Sequence, residues 1–112
     1  MSDEKINSDV LEKLFETIKS RHGDSPDTSY TAKLFSKGRG EIARKVGEEA
    51  TETIVAALDE GDEKVISESA DLLYHLLVLW ADTGVEPAQV WAELARREGI
   101  SGIDEKNARP KK

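Results

Sequence analysis

The chain has 112 residues, a net charge of −7, and a composition that is 38% hydrophobic and 35% charged. That balance fits one soluble helical domain and excludes a disordered chain, while the negative charge argues against nucleic-acid or membrane partners but leaves room for a local basic pocket. Cysteine is absent, which excludes a disulfide framework and a thiolate metal site.

The N-terminus Met1-Ser2-Asp3-Glu4-Lys5 is polar and has no apolar signal core. The longest apolar run, around Leu72 to Ala81, is broken by Tyr74 and His75 and is too short to span a bilayer. A cytoplasmic protein is expected, forming one domain over residues 1–112 with frayed ends at 1–7 and 110–112. From Asp9, the residues Val10, Leu11, Leu14, Phe15 and Ile18 recur at helical spacing, with Ser8 or Asp9 as the cap. This helix should close near Arg21-His22-Gly23, and the Ser-, Asp- and Pro-containing stretch to Ser29 reads as a loop. His22, placed there, says little. A short helix over 30–36 is followed by the turn Lys37-Gly38-Arg39-Gly40.

A long helix is expected from Glu41 to about Glu60, ended by Gly61, with Asp62 capping the next helix over about 63–82. The apolar surface of that second long helix is wide (Val65, Ile66, Leu72, Leu73, Leu76, Leu77, Trp80), which places it at the centre of a bundle or in a subunit interface. Pro87 opens a further helix carrying Val90, Trp91 and Leu94, and Gly99 closes it. The remainder has weak periodicity and ends in a basic tail. Strands and repeats are not expected. The architecture is all-α, an antiparallel helical bundle.

The chemistry lies in Glu48-Glu49-Ala50-Thr51-Glu52 and Glu68-Ser69-Ala70-Asp71. An ionised carboxylate in a buried helix face costs several kcal/mol unless something pairs with it. Glu49/Glu52 and Glu68/Asp71 stand three apart, so each pair occupies one helix face. At a rise of roughly 1.5 Å per residue, Glu52 lies about 13 Å from the turn at Gly61 and Glu68 about 10 Å, while Glu49 lies about 18 Å and Asp71 about 15 Å away. A hairpin therefore brings both pairs to one depth. Hard oxygen ligands of this kind suit Mg²⁺, Mn²⁺ or Ca²⁺. A di-iron bundle wants Glu-x-x-His, but the residue three after Glu68 is Asp71, and His75 comes a turn too late. His75 is placed to hydrogen-bond the Asp71 carboxylate or to face a substrate.

Lys33, Lys37, Arg39, Arg44 and Lys45 cluster just before the first acidic motif, and Gly38-Arg39-Gly40 leads into a helix N-terminus suited to anions. Carboxylate-held Mg²⁺ with cations for the other phosphates amounts to phosphoanhydride hydrolysis chemistry, with a spare glutamate to accept a proton. A non-catalytic acidic helical module that binds a partner is the reading from another class.

The paired motifs resemble the Glu-Glu-x-x-Glu … Glu-x-x-Asp signature of the all-α MazG-like nucleoside triphosphate pyrophosphatases. Within that superfamily, Leu14-Phe15-Glu16-Thr17-Ile18, Ser29-Tyr30-Thr31 with Leu34-Phe35, Lys45 to Glu52, Glu68 to His75 and Ser101-Gly102-Ile103-Asp104-Glu105-Lys106 are similar to the phosphoribosyl-ATP pyrophosphatases. The resemblance covers Leu11 to Arg109. It implies hydrolysis of 1-(5-phosphoribosyl)-ATP to 1-(5-phosphoribosyl)-AMP and pyrophosphate, the second step of histidine biosynthesis. It further implies a Mg²⁺ cofactor, a small-molecule nucleotide substrate, and a homodimer that completes the bundle. The cyclohydrolase of the following step, fused to this activity in some organisms, is not expected here. A house-cleaning triphosphate pyrophosphatase of the same superfamily is the alternative. On this reading Glu49, Glu52, Glu68 and Asp71 are metal ligands, and Glu48 is a further ligand or the catalytic base. Lys33, Lys37, Arg39, Lys45, Lys106 and Arg109 are candidate phosphate contacts, and His75 is a substrate or supporting residue.

Overall fold

The computed structural model describes residues 6–109, so the fraying expected at residues 1–5 and 110–112 lies outside the described residues. Helix α1 (Asp9–Ser20) buries Phe15 and Ile18. Ser8 stands at the cap position, as expected, but the capping hydrogen bond is made by Asn7, whose Oδ1 accepts from the Asp9 amide at 2.8 Å. Asn7 supplies the carbonyl that an open helix start needs, and the Ser8 side chain makes no such bond.

Helix α2 (Tyr30–Lys37) begins at Ser29, whose hydroxyl accepts from the Ala32 amide at 3.1 Å. The turn expected over 37–40 shrinks to one residue, because Gly38 at φ 94° redirects the chain alone. Arg39 and Gly40 consequently lie in the first turn of α3 (Arg39–Val55). The expected single helix to Glu60 instead widens into a π-helical turn, Ala56–Glu60, with the Gly61 amide donating to the Ala56 carbonyl at 3.1 Å. Gly61, at φ 95°, reverses the chain into α4 (Asp62–Thr83). Asp62 is the first residue of α4 and makes no side-chain cap.

Helix α5 (Pro87–Arg97) is preceded by Glu86, whose amide donates to Gln89 Oε1 at 2.8 Å. The tail, weakly periodic in sequence, forms α6 (Gly102–Ala108), whose start is capped by the Ser101 hydroxyl accepting from the Asp104 amide at 3.0 Å.

Helices α3 and α4 form the antiparallel hairpin around which the chain is arranged, with α1 against α4 and α2 against both. Phe15, Ile18, Leu34, Ile42, Leu77 and Val78 form one buried cluster at the end of the hairpin away from Gly61. Arg39 fastens that end by donating to Asp82 Oδ2 at 2.8 Å and to its carbonyl at 3.2 Å. The described residues are all-α, as the sequence predicts. Among them no helix is long and apolar enough to cross a membrane.

Near Gly61 the hairpin is bare. Ile54 (60% exposed), Leu58 (77%), Ile66 (70%) and Leu73 (43%) stand on its surface. The radius of gyration is 16.4 Å, against about 13 Å for a compact domain of this length.

Candidate active site

The acidic motifs occupy the middle of the hairpin. Side-chain oxygens of Glu48, Glu49 and Glu52 lie within 4.8 Å of one another, and so do those of Glu49, Glu68 and Asp71. Glu49 belongs to both groups. The sequence places Glu48 apart from two matched pairs, whereas the hairpin gathers all five carboxylates with Glu49 at the junction.

Burial separates their roles. Glu49 is 6% exposed, and its Oε2 is buried with no hydrogen-bond partner. Glu48 and Glu68 are half-buried, while Glu52 and Asp71 face solvent. The side-chain hydrogen bond with Glu49 raises Glu52 above its ordinary value, and partial burial and the charges of Glu49 and Glu48 add to this. Glu68 is raised by desolvation first and then by Glu52 and Asp71. Crowded oxygens hold protons more tightly, and a cation among them reverses that preference. The donor set is all carboxylate oxygen, with one orphaned oxygen pointing to a missing partner. It fits a hard divalent cation.

The cation that the chain itself supplies is Lys45. One turn before Glu49, its ammonium donates to Glu48 Oε1 at 2.7 Å and lies 3.6 Å from Glu49 Oε1. Glu48 also accepts from Arg44 at 2.8 Å. The hydrogen bond from Lys45, and then that from Arg44, lowers Glu48 below the usual carboxylate range. The same Glu48 bond raises Lys45.

His75 is buried, at 5% exposed, and does not bond the Asp71 carboxylate. Its Nδ1 lies 2.7 Å from the Asp71 backbone carbonyl, and its Nε2 lies 3.0 Å from the Tyr30 hydroxyl. Beside this bond, the Thr31 hydroxyl is hydrogen-bonded to the Tyr74 hydroxyl. Two adjacent residues of α2 are thus tied to two adjacent residues of α4. Sequence spacing does not reveal these pairs, since 45 and 43 positions separate the partners.

Residues 11–98 match the family described as phosphoribosyl-ATP pyrophosphohydrolase. The chain belongs to the phosphoribosyl-ATP pyrophosphohydrolase family. It is 68% identical over 106 residues to the phosphoribosyl-ATP pyrophosphatase of Paramagnetospirillum magneticum, covering 95% of this chain and 97% of the relative. The phosphoribosyl-ATP pyrophosphatase of Azospirillum brasilense is 59% identical, with 97% of this chain and 98% of the relative covered. That of Rhodospirillum rubrum is 63% identical, at 92% and 88%.

The span that identifies the phosphoribosyl-ATP pyrophosphohydrolase family includes all five carboxylates, Lys45, Tyr30 and His75, and stops before Lys106 and Arg109. Of the basic residues singled out in the sequence, Lys45 and Arg44 are in contact with the acidic group, Arg44 through Glu48 and Lys45 through both Glu48 and Glu49. Lys33 and Lys37 are exposed on α2. Arg39 is engaged with Asp82, eleven residues beyond Asp71 on α4. Arg109 lies 3.4 Å from buried Glu105, which also holds Arg96 at 2.8 Å, and Lys106 is exposed on α6. Within the described residues, then, Arg109 serves the α5–α6 junction through Glu105.

Proposed function

We infer that this chain hydrolyses 1-(5-phosphoribosyl)-ATP to 1-(5-phosphoribosyl)-AMP and pyrophosphate, the second step of histidine biosynthesis. The observation that carries the reading is the convergence of Glu48, Glu49, Glu52, Glu68 and Asp71 within the span that identifies the family. A metal-binding acidic group suits cleavage of a phosphoanhydride, where charge on departing pyrophosphate must be neutralised.

Glu49, Glu68 and Asp71, with Glu52 beside them, would hold Mg²⁺. Bound there, the ion supplies Lewis-acid polarisation of phosphoryl oxygens and neutralises leaving-group charge. Lys45 is placed to contact a phosphate oxygen next to the acidic group, because Glu48 holds its ammonium there. Glu48, read from the sequence as ligand or base, is already engaged by two cations, accepting from Lys45 at 2.7 Å and from Arg44 at 2.8 Å. Glu52 is exposed, and the group Glu49–Glu68–Asp71 is complete without it. We therefore assign proton acceptance from the attacking water to Glu52 and the orientation of Lys45 to Glu48.

The active form on this reading is a cytoplasmic homodimer. The bare apolar stripe of Ile54, Leu58, Ile66 and Leu73 supports it: these residues recur at helical spacing on the hairpin that carries the site.

The test is pyrophosphate release from phosphoribosyl-ATP with and without Mg²⁺, beside a panel of ordinary and damaged nucleoside triphosphates. Mg²⁺-dependent turnover of phosphoribosyl-ATP far above the panel is expected. Preference for the panel would favour a house-cleaning pyrophosphatase. No turnover of anything, with neutral replacements at Glu49 and Asp71 tolerated, would leave an acidic interaction module.

A further inference from the structure

Ser29-Tyr30-Thr31 marks the family resemblance, yet the reaction as drawn gives it no task. The structure places it where it can have one. Ser29 caps α2 through the Ala32 amide, and Thr31 is buried and bonded to Tyr74. Tyr30 is half exposed, and its ring lies across Tyr74 (centroids 6.2 Å) and edge-on to His75 (5.8 Å).

The direction of the Tyr30–His75 bond follows from its neighbours. The Asp71 carbonyl can only accept, so His75 Nδ1, at 2.7 Å, carries a proton. In the neutral ring, Nε2 is then the acceptor, and the Tyr30 hydroxyl donates to it at 3.0 Å. With its one proton committed inward, the phenol oxygen has only lone pairs to offer outward. Burial raises the phenol above its ordinary value, with Lys45 opposing and Tyr74, Glu49 and Glu48 adding, so the proton stays on. The other nitrogen of the ring that receives this bond reaches the backbone of Asp71, so one imidazole separates the hydroxyl from a residue of the acidic group.

An acceptor repels an ionised phosphate oxygen and recognises a hydroxyl. The hydroxyls nearest the bond cleaved, on the reading above, are those of the ribose attached to the α-phosphate. We propose that Tyr30 is a specificity-determining residue that accepts a hydrogen bond from a hydroxyl of the ATP ribose, and that His75 is the positioning residue that fixes the phenol for it. The proposal rests on the hydrolase reading and deepens it. The Ser-Tyr-Thr segment is on this view a sugar-reading edge, held against α4 by two hydroxyl bonds and set beside the phosphate machinery.

The test measures Mg²⁺-dependent pyrophosphate release from phosphoribosyl-ATP and from its 2′-deoxy and 3′-deoxy forms in the ATP ribose. Wild-type enzyme should lose about tenfold in kcat/KM on one deoxy form, mainly through KM, the size of one hydrogen bond. Tyr30→Phe should lose about as much on the full substrate and no longer distinguish it from that deoxy form. The Tyr30→Phe/His75→Phe double variant leaves no orphaned Nε2 and should show the same indifference. His75→Phe alone should raise KM while kcat holds. A wild type that treats all three substrates alike overturns the proposal. So do variants that keep the discrimination, or a Tyr30→Phe enzyme that loses kcat at unchanged KM, which would assign the phenol to the attacking water. Robust wild-type turnover accompanies each of those failures. Absence of wild-type turnover on every substrate would instead overturn the hydrolase reading, and this one with it.

Discussion

Glu49→Gln separates a metal ligand from a structural carboxylate by the sign of its effect. Glu49 is 6% exposed, its Oε2 is buried with no hydrogen-bond partner, and its Oε1 lies 3.6 Å from the Lys45 ammonium. An unsatisfied buried polar group costs about 1–3 kcal/mol. Glutamine keeps the shape, removes the charge and retains a polar group in need of partners, so a net gain of about 1 kcal/mol is expected without metal. For 112 residues, an unfolding entropy of about 2.1 cal/mol/K per residue converts that gain to about 4 °C in Tm. Metal reverses the order. At a Mg²⁺ concentration of about 100 times Kd, the wild type gains about 2.7 kcal/mol, or roughly 11 °C, and Glu49→Gln gains little. The assay is a thermal melt at fixed protein concentration with and without Mg²⁺, paired with pyrophosphate release, which the variant should lose by at least about a hundredfold. A variant less stable than wild type without metal, yet still shifted by Mg²⁺, would refute the reasoning. Glu49 would then be a structural partner of Lys45.

Glu52→Gln should abolish turnover, whereas Glu48→Gln should retain measurably more; equal losses in kcat would remove the assignment of Glu52 as base. Glu52 and Glu68 are raised in the folded chain, so what they contribute to stability is present below the usual carboxylate value and lost as pH rises through their folded values. The Tm difference between Mg²⁺-containing and Mg²⁺-free samples should accordingly widen as pH rises across the carboxylate range, and a constant difference would contradict proton–metal competition. Glu93 behaves oppositely: hydrogen bonds from Arg96 and Arg97 lower it from 4.5 to about 2, so its contribution is present above 4.5 and lost as pH falls through about 2. A carboxyl NMR titration with a midpoint near 4.5 would show those pairs unformed. Leu58→Glu with Ile66→Glu should convert a dimer into particles of 12.4 kDa by light scattering; an unchanged mass would place the interface elsewhere. Arg39→Ala should cost about 0.5–1 kcal/mol through loss of the exposed Asp82 pair and leave KM unchanged, while a raised KM would return Arg39 to the phosphate contacts.

The sequence by itself determined the helices and the acidic motifs, because both are local. Helical periodicity and single breakers such as Gly61 report on neighbours within a few residues. Carboxylates three apart share a face in any α-helix, and one hairpin turn sets their depth. Boundaries were less legible where one side chain or one hydrogen bond decided them. Asn7 makes the capping bond of α1, Gly38 alone makes a turn, and the Gly61 amide reaching Ala56 opens a π-turn. Only the tertiary structure made Glu49 the shared and buried carboxylate, since burial depends on what α4 lays against α3. It separated cations that look equivalent along the chain: Lys45 meets the acidic group, Arg39 meets Asp82, and Arg109 meets Glu105. It also tied Tyr30 to His75 across 45 residues. Such contacts are set by the packing of α2 on α4, and no local pattern in a chain records which distant helix face it will meet.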